Sequence, residues 1–157
     1  MYLFKQVKVE KDAIWVGRPK TEDLASLFQQ GYDHILDIMP LALKDKGLAR
    51  RARAVGMHYH RIPVEDCDLE SCHIEEDWVV RFFRFMNRCC QGSVVINTDD
   101  ETLGISLVVL TSFFLKGKPV QEVVRAIEEL GIPLRGRKDI KRFIRDFYKH
   151  YQGKEIV

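Results

Sequence analysis

The residues best suited to chemistry lie in one short stretch, Asn97-Thr98-Asp99-Asp100-Glu101-Thr102-Leu103-Gly104. An apolar run from Ser93 to Ile96 precedes it and reads as a buried strand. Ile105, Leu107, Val108, Leu110, Thr111 and Phe114 follow at helical spacing. The chain therefore passes from strand to tight loop to helix N-terminus. Unpaired backbone N–H groups and the helix dipole favour an anion at such a place. Yet the stretch carries three consecutive carboxylates and no Lys or Arg. Thr98 offers a hydroxyl, and Asp99, Asp100 and Glu101 together could hold a divalent cation.

Other groupings suggest other chemistry. The acidic stretch is similar to the Asp-x-Asp-x-Thr loop of haloacid dehalogenase-type phosphatases, which need an Asp nucleophile and magnesium. Here Asn97 stands at the first acid and the Thr comes one place late. His58 and His60 alternate onto one strand face, near Cys67, Cys72 and His73. Their spacing matches no standard zinc motif, so a structural or surface role is expected. Toward the C-terminus, Arg135, Arg137, Lys138, Lys141, Arg142, Arg145 and Lys149 face only Asp139 and Asp146. Such a helix is either a solvated basic face or a footprint for an acidic partner, RNA or acidic lipid.

The positioning elements follow from periodicity and punctuation. Residues 2–9 and 13–16 read as strands around a turn at Lys11-Asp12, and Gly17-Arg18-Pro19 breaks the pattern. Thr21 is placed as the N-cap of a helix with Leu24, Leu27 and Phe28 on its apolar face, ending near Gly31. Residues 34–38 form the next strand, stopped by Pro40. A basic helix over 46–55 is closed by Gly56, and a strand over 57–62 ends at Pro63. An acidic loop over 64–73 leads to a helix over 74–90 with Ile74, Trp78, Phe82, Phe85 and Cys89 on one face. Phe82, Phe83, Phe85 and Met86 are expected in the core, with a dimer surface as the alternative if both faces stay apolar. Helices over 104–115, 120–130 and 138–151 complete the chain. Alternating strands and helices predict one α/β domain over 1–157, with a central, mostly parallel sheet flanked by helices.

Composition narrows the class. At 157 residues, 46% hydrophobic and 31% charged, the chain is long enough for one core and resembles ordinary globular proteins. A net charge of +2 gives no global pull toward nucleic acid or membrane. No apolar run spans a bilayer, and Lys5 and Lys8 interrupt the N-terminal apolar residues, so no signal peptide is read and a cytoplasmic location is expected. Cys67, Cys72, Cys89 and Cys90 are then expected as free thiols.

The order of these motifs resembles the cysteine-dependent protein tyrosine and dual-specificity phosphatases, particularly their small prokaryotic members. The resemblance rests on Ile14-Trp15-Val16-Gly17-Arg18-Pro19, on Leu24 to Gly31, on His34-Ile35-Leu36-Asp37-Ile38-Met39-Pro40, and on Gly56-Met57-His58-Tyr59-His60-Arg61-Ile62-Pro63-Val64. Past the loop, Gly117 to Gly131 with Ala126 is similar to a further family helix. It implies the three-layer phosphatase-type α/β fold. It also implies a loop reading His-Cys-x-x-Gly-x-x-Arg, or a one-shorter variant. Aligned on the strand, Asn97 takes the His place, Thr98 the Cys, Glu101 the Gly, and Leu103 or Gly104 the Arg. No Cys follows Cys90, and no Arg lies between Arg88 and Arg125.

That substitution pattern has chemical consequences. The family nucleophile is a thiolate at neutral pH, whereas a Thr hydroxyl stays protonated there. The family Arg forks onto the phosphoryl oxygens, which Leu or Gly cannot do. Each added carboxylate near a phosphate dianion costs about 1–4 kcal/mol. The resemblance therefore implies a pseudophosphatase, with no catalytic residue and no cofactor expected, acting as a binding or regulatory module. The family's general-acid position would fall on Asp66 or Asp68. A hydrolase with altered, metal-assisted chemistry is the alternative. A binder of nucleic acid or acidic surfaces through Arg137, Lys138, Lys141, Arg142, Arg145 and Lys149 is another.

Overall fold

A computed structural model describes residues 5–9, 12–40, 45–63, 77–89 and 93–152, with the side chains of 5–13, 77 and 89 excepted. The expectations for Asp66, Asp68, Cys67, Cys72, His73 and Cys90 lie outside the described residues. The chain comprises two compact units, Met1–Asp66 with Arg88–Glu101, and Cys67–Asn87 with Thr102–Val157.

The first unit holds the sheet. Its strands are β1 (Lys5–Val9), β2 (Asp12–Gly17), β3 (Tyr32–Asp37), β4 (His58–Arg61) and β5 (Ser93–Asn97), in the order β1-β2-β5-β3-β4. β2, β5, β3 and β4 run parallel, and β1 pairs antiparallel on the β2 edge. This is the mostly parallel α/β sheet expected from the alternation of elements. β5 is central, which explains its continuous apolar run: Val94, Val95 and Ile96 are fully buried.

Two helices of this unit are α1 (Thr21–Gln29) and α2 (Leu48–Val55). Leu24, Leu27, Leu48 and Ala52 pack with Tyr32, Ile35, Met57 and Val95 into one apolar cluster. The cap of α1 differs from expectation. Thr21 is its first helical residue and Lys20 holds the cap position, where the Asp23 carboxylate accepts the Lys20 N–H at 2.8 Å. The acid three residues into the helix thus satisfies a donor that a Thr at the cap would have left to it. α2 starts two residues later than expected, because Asp45 turns the chain first by accepting the Gly47 N–H at 2.9 Å. Gly56 closes α2 with φ of 104°, and a Cβ there would meet the Phe28 ring at 2.9 Å. The left-handed φ selects glycine, while the exposed Phe28 ring could swing aside for a Cβ.

The second unit is helical: α3 (Asp77–Cys89), α4 (Glu101–Leu115, entering from the first unit), α5 (Val120–Glu129) and α6 (Lys138–Tyr151). Every residue from Gly104 to Thr111 is buried, so α4 is apolar on all sides rather than amphipathic. Its hydroxyls do not break this pattern. Ser106 donates to the Thr102 carbonyl and Thr111 to the Leu107 carbonyl, both at 2.7 Å. Phe82, Phe83, Phe85 and Met86 of α3 are buried, as expected. Phe147 of α6 stacks on Phe83 with centroids 4.5 Å apart and meets Phe114 edge-on at 5.1 Å. Tyr148 donates to the Lys118 carbonyl at 2.8 Å. Burial, followed by the nearby Glu122 charge, pushes its phenol up to about 12. Among the described residues, no helix is long and apolar enough to cross a membrane.

Candidate functional site

In open parallel sheets, ligands bind beyond the carboxyl ends of the strands. Here those ends fall in one row, because Gly17, Asn97, Asp37 and Arg61 are register partners across β2, β5, β3 and β4. The ladder continues past the row. Thr98 N–H donates to the Gly17 carbonyl at 2.9 Å, Ile38 N–H to the Asn97 carbonyl at 3.1 Å, and Ile62 N–H to the Asp37 carbonyl at 3.0 Å.

Asp37 lies at the centre of this end and is 0% exposed. One carboxylate oxygen accepts the Met39 N–H at 3.0 Å and the Asn97 amide at 2.9 Å. The other accepts the Tyr59 hydroxyl at 2.6 Å and the Arg61 guanidinium at 2.9 Å. A second Arg61 nitrogen donates to the Met39 carbonyl at 2.9 Å. Four donors thus satisfy a charge that could not otherwise be buried. Burial first, then the hydrogen bond to Asp37, pushes the Tyr59 phenol up to about 12, so it remains a donor throughout the physiological range. The sequence reading missed this network. Its signal was an acid inside the apolar run Ile35-Leu36-Asp37-Ile38, with Tyr59 and Arg61 alternating on the next strand.

Asn97 carries the network into the loop. Asn97 and Thr98 are each only 4% exposed, whereas Asp99 is exposed and Asp100 half-buried. The Thr98 hydroxyl accepts the Asp100 N–H at 3.1 Å and donates to the Asp100 carbonyl at 3.3 Å. This is a local turn closed by a side chain. α4 then begins at Glu101, three residues earlier than its apolar spacing predicts. The spacing starts late because Glu101, Thr102 and Leu103 are only partly buried and carry no continuous apolar face. The connection between strand and helix is thus Thr98 to Asp100. Thr102, Leu103 and Gly104 are helical residues, and Gly104 is buried.

The structure adds a third ring to the two histidines read from the sequence. His34 of β3 is the register partner of His58. The rings of His58 and His60 stack on His34 at 5.1 and 5.4 Å, and His34 Nδ1 lies 3.2 Å from His60 Nε2. The rings stack rather than converge. Among the described residues, no three His, Cys, Asp or Glu side chains gather to hold a metal ion. Burial, then the charges of His34 and His58, holds His60 below the usual 6.5. The unfolded chain therefore takes up this proton first, so stability is full above pH 6.5 and falls as pH drops below it. Urea midpoints at pH 7.5 and 5.5 are expected to show this loss, and His60→Gln is expected to shrink it. An equal loss in the variant would assign it elsewhere.

The α/β architecture and strand order are those of the protein tyrosine phosphatase-like fold. Solved structures share this fold. A candidate phosphatase of the DUF442 type from Shewanella putrefaciens CN-32 superposes with a TM-score of 0.67 and 18% identity, over 94% of this chain and 90% of that one. A mutant form of Tk-PTP gives 0.64 and 8%, over 94% and 96%. The core catalytic domain of the PP-IP phosphatase SIW14 from S. cerevisiae gives 0.63 and 15%, over 92% and 84%. No protein-family model matches the chain, and no curated protein matches it.

Proposed function

We propose that this phosphatase-like domain is a pseudophosphatase, a binding or regulatory module without thiolate phosphoryl transfer. The observation that carries the reading is the short connection from Thr98 to Asp100. A thiolate-based loop needs a nucleophile with a lowered pKa, a run of amides converging on phosphate, and an Arg fork. Here the residue at the nucleophile position is a hydroxyl engaged with Asp100, and helix begins at the position the family gives to Gly. Among the described residues, no general base hydrogen-bonds Thr98. Asp99, Asp100 and Glu101 repel the dianion that the related loops bind. The ligand of such a module is a protein or a small molecule other than a phosphate ester.

The test is turnover of an aryl phosphate by the purified chain in EDTA, with melting followed in vanadate. No turnover above the buffer rate and an unchanged melting temperature are expected. Turnover in EDTA overturns the reading, whether or not Thr98→Ala removes it. Turnover that requires magnesium or manganese and disappears in Asp99→Asn replaces it with metal-assisted hydrolysis.

A further inference from the structure

We propose that the exposed face of α6 docks the phosphate backbone of a nucleic acid, without reading base sequence. Net charge conceals this face. Residues 135–150 hold seven Lys and Arg against two Asp, a surplus of five, so the rest of the chain is net negative although the whole is +2.

The helix sorts these charges. At 100° per residue, Lys138, Lys141, Arg142, Arg145 and Lys149 fall within about 100° of its circumference and span about 16 Å of its axis. Ile140, Phe143, Ile144 and Phe147 are buried on the other side. The two acids sit on the flank, and Asp139 is engaged by Arg137 at 3.2 Å. Arg135 extends the basic surface past the helix start. With Lys141 it lines an open groove of about 580 Å³, whose other lining residues are Gly131, Pro133, Leu134 and the acidic Glu128.

Among the described residues, no carboxylate comes within ion-pair distance of Arg135, Lys138, Lys141, Arg142, Arg145 or Lys149. Within the stripe, Lys138 faces Lys141 and Arg142, and Arg145 faces Lys141, Arg142 and Lys149, at i,i+3 and i,i+4 spacings where like charges repel. Lys138 and Lys141 also lie at the positive end of the helix dipole. Lys149 in the last turn suits the helix dipole, but the like-charge neighbours of the stripe repel, and a polyanion relieves that repulsion.

The chemistry of the face selects the polyanion. The large exposed apolar side chains among the described residues are Phe28, Leu115 and Leu130, none of them on α6. A lipid surface would find no large apolar side chain to bury on α6, and a protein partner no exposed apolar anchor. Successive cations advance by roughly a helical turn, about 5 Å, which suits a backbone of closely spaced phosphates. The aromatics Phe143 and Phe147 point into the core and cannot stack on bases, so the contact reads charge alone.

The experiment is fluorescence anisotropy on the full chain with a labelled mixed-sequence DNA duplex and a single-stranded RNA, from 50 to 200 mM KCl. Four or so phosphate contacts give a duplex slope of log K against log salt of about −3 to −4. Combining Lys138→Gln, Arg142→Gln and Arg145→Gln is expected to weaken binding at least about tenfold at 50 mM salt and to flatten the slope by about 2.7. Lys141→Gln with Lys149→Gln is an independent variant with the same expected direction, and both should melt close to the parent temperature because surface substitutions of this kind change stability little. A slope shallower than about −1, variants that bind like the parent, or tighter binding to poly-glutamate or phosphatidylserine vesicles each overturn the proposal.

Discussion

Replacing Asp37 with Ala is expected to destabilise the chain by about 3–5 kcal/mol, the range for removing one partner of a buried ion pair. The carboxylate is fully buried and holds Met39, Tyr59, Arg61 and Asn97 at once. Its removal takes the carboxylate from the half-buried Arg61 guanidinium and from three further donors, the Met39 N–H, the Tyr59 hydroxyl and the Asn97 amide. For a domain of this length the melting temperature should fall by roughly 6–20 °C. A companion variant separates the pair's worth from the penalty of breaking it. Asp37→Leu combined with Arg61→Met should be clearly more stable than Asp37→Ala, because no unpaired charge remains. Urea denaturation of the three proteins decides the matter. A loss under about 1 kcal/mol for Asp37→Ala would mean the network is dispensable. The same variant frees the Asn97 amide, so the turn from Thr98 to Asp100 should exchange its amide hydrogens faster.

Phe147→Ala is the second large effect, at about 3–5 kcal/mol. Phe147 is 0% exposed and contacts Phe83 face-on at 4.5 Å, Phe114 edge-on at 5.1 Å and Tyr151 at 4.7 Å. Truncation leaves a cavity and removes three ring pairs, each worth about 0.5–1.5 kcal/mol beyond burial. Phe147→Leu keeps most of the apolar volume and should cost less. If Leu and Ala cost the same in urea denaturation, ring geometry rather than volume governs this cluster. If neither costs more than about 1 kcal/mol, α6 is not anchored through Phe147.

The repeating apolar pattern carried most of the architecture. The 93–96 run, too apolar for an edge, lies at the centre of the sheet as β5, and α6 occupies the 138–151 range read from its amphipathic spacing. Gly56 ends α2 because the left-handed φ of 104° at that position favours glycine. Element ends were less legible, since caps depend on which neighbour supplies a hydrogen bond. Thr21 looked like a cap from its residue type, but Asp23 performs that role from inside the helix. The partly exposed first turn of α4 left no periodic signal, so its start at Glu101 was read three residues late.

The sequence alone determined what the candidate loop lacks. The absence of Cys and Arg between Cys90 and Arg125 is a matter of composition and requires no coordinates. Tertiary structure decided what the loop has instead. Asp37, Tyr59, Arg61 and Asn97 stand up to 60 residues apart and meet only because parallel pairing sets the ends of β3, β4 and β5 in register. His34 likewise joins His58 and His60 through pairing that no local spacing encodes. Local periodicity reports which face of an element is buried. Only the strand order reports which buried polar groups face one another, and those contacts hold the loop in place.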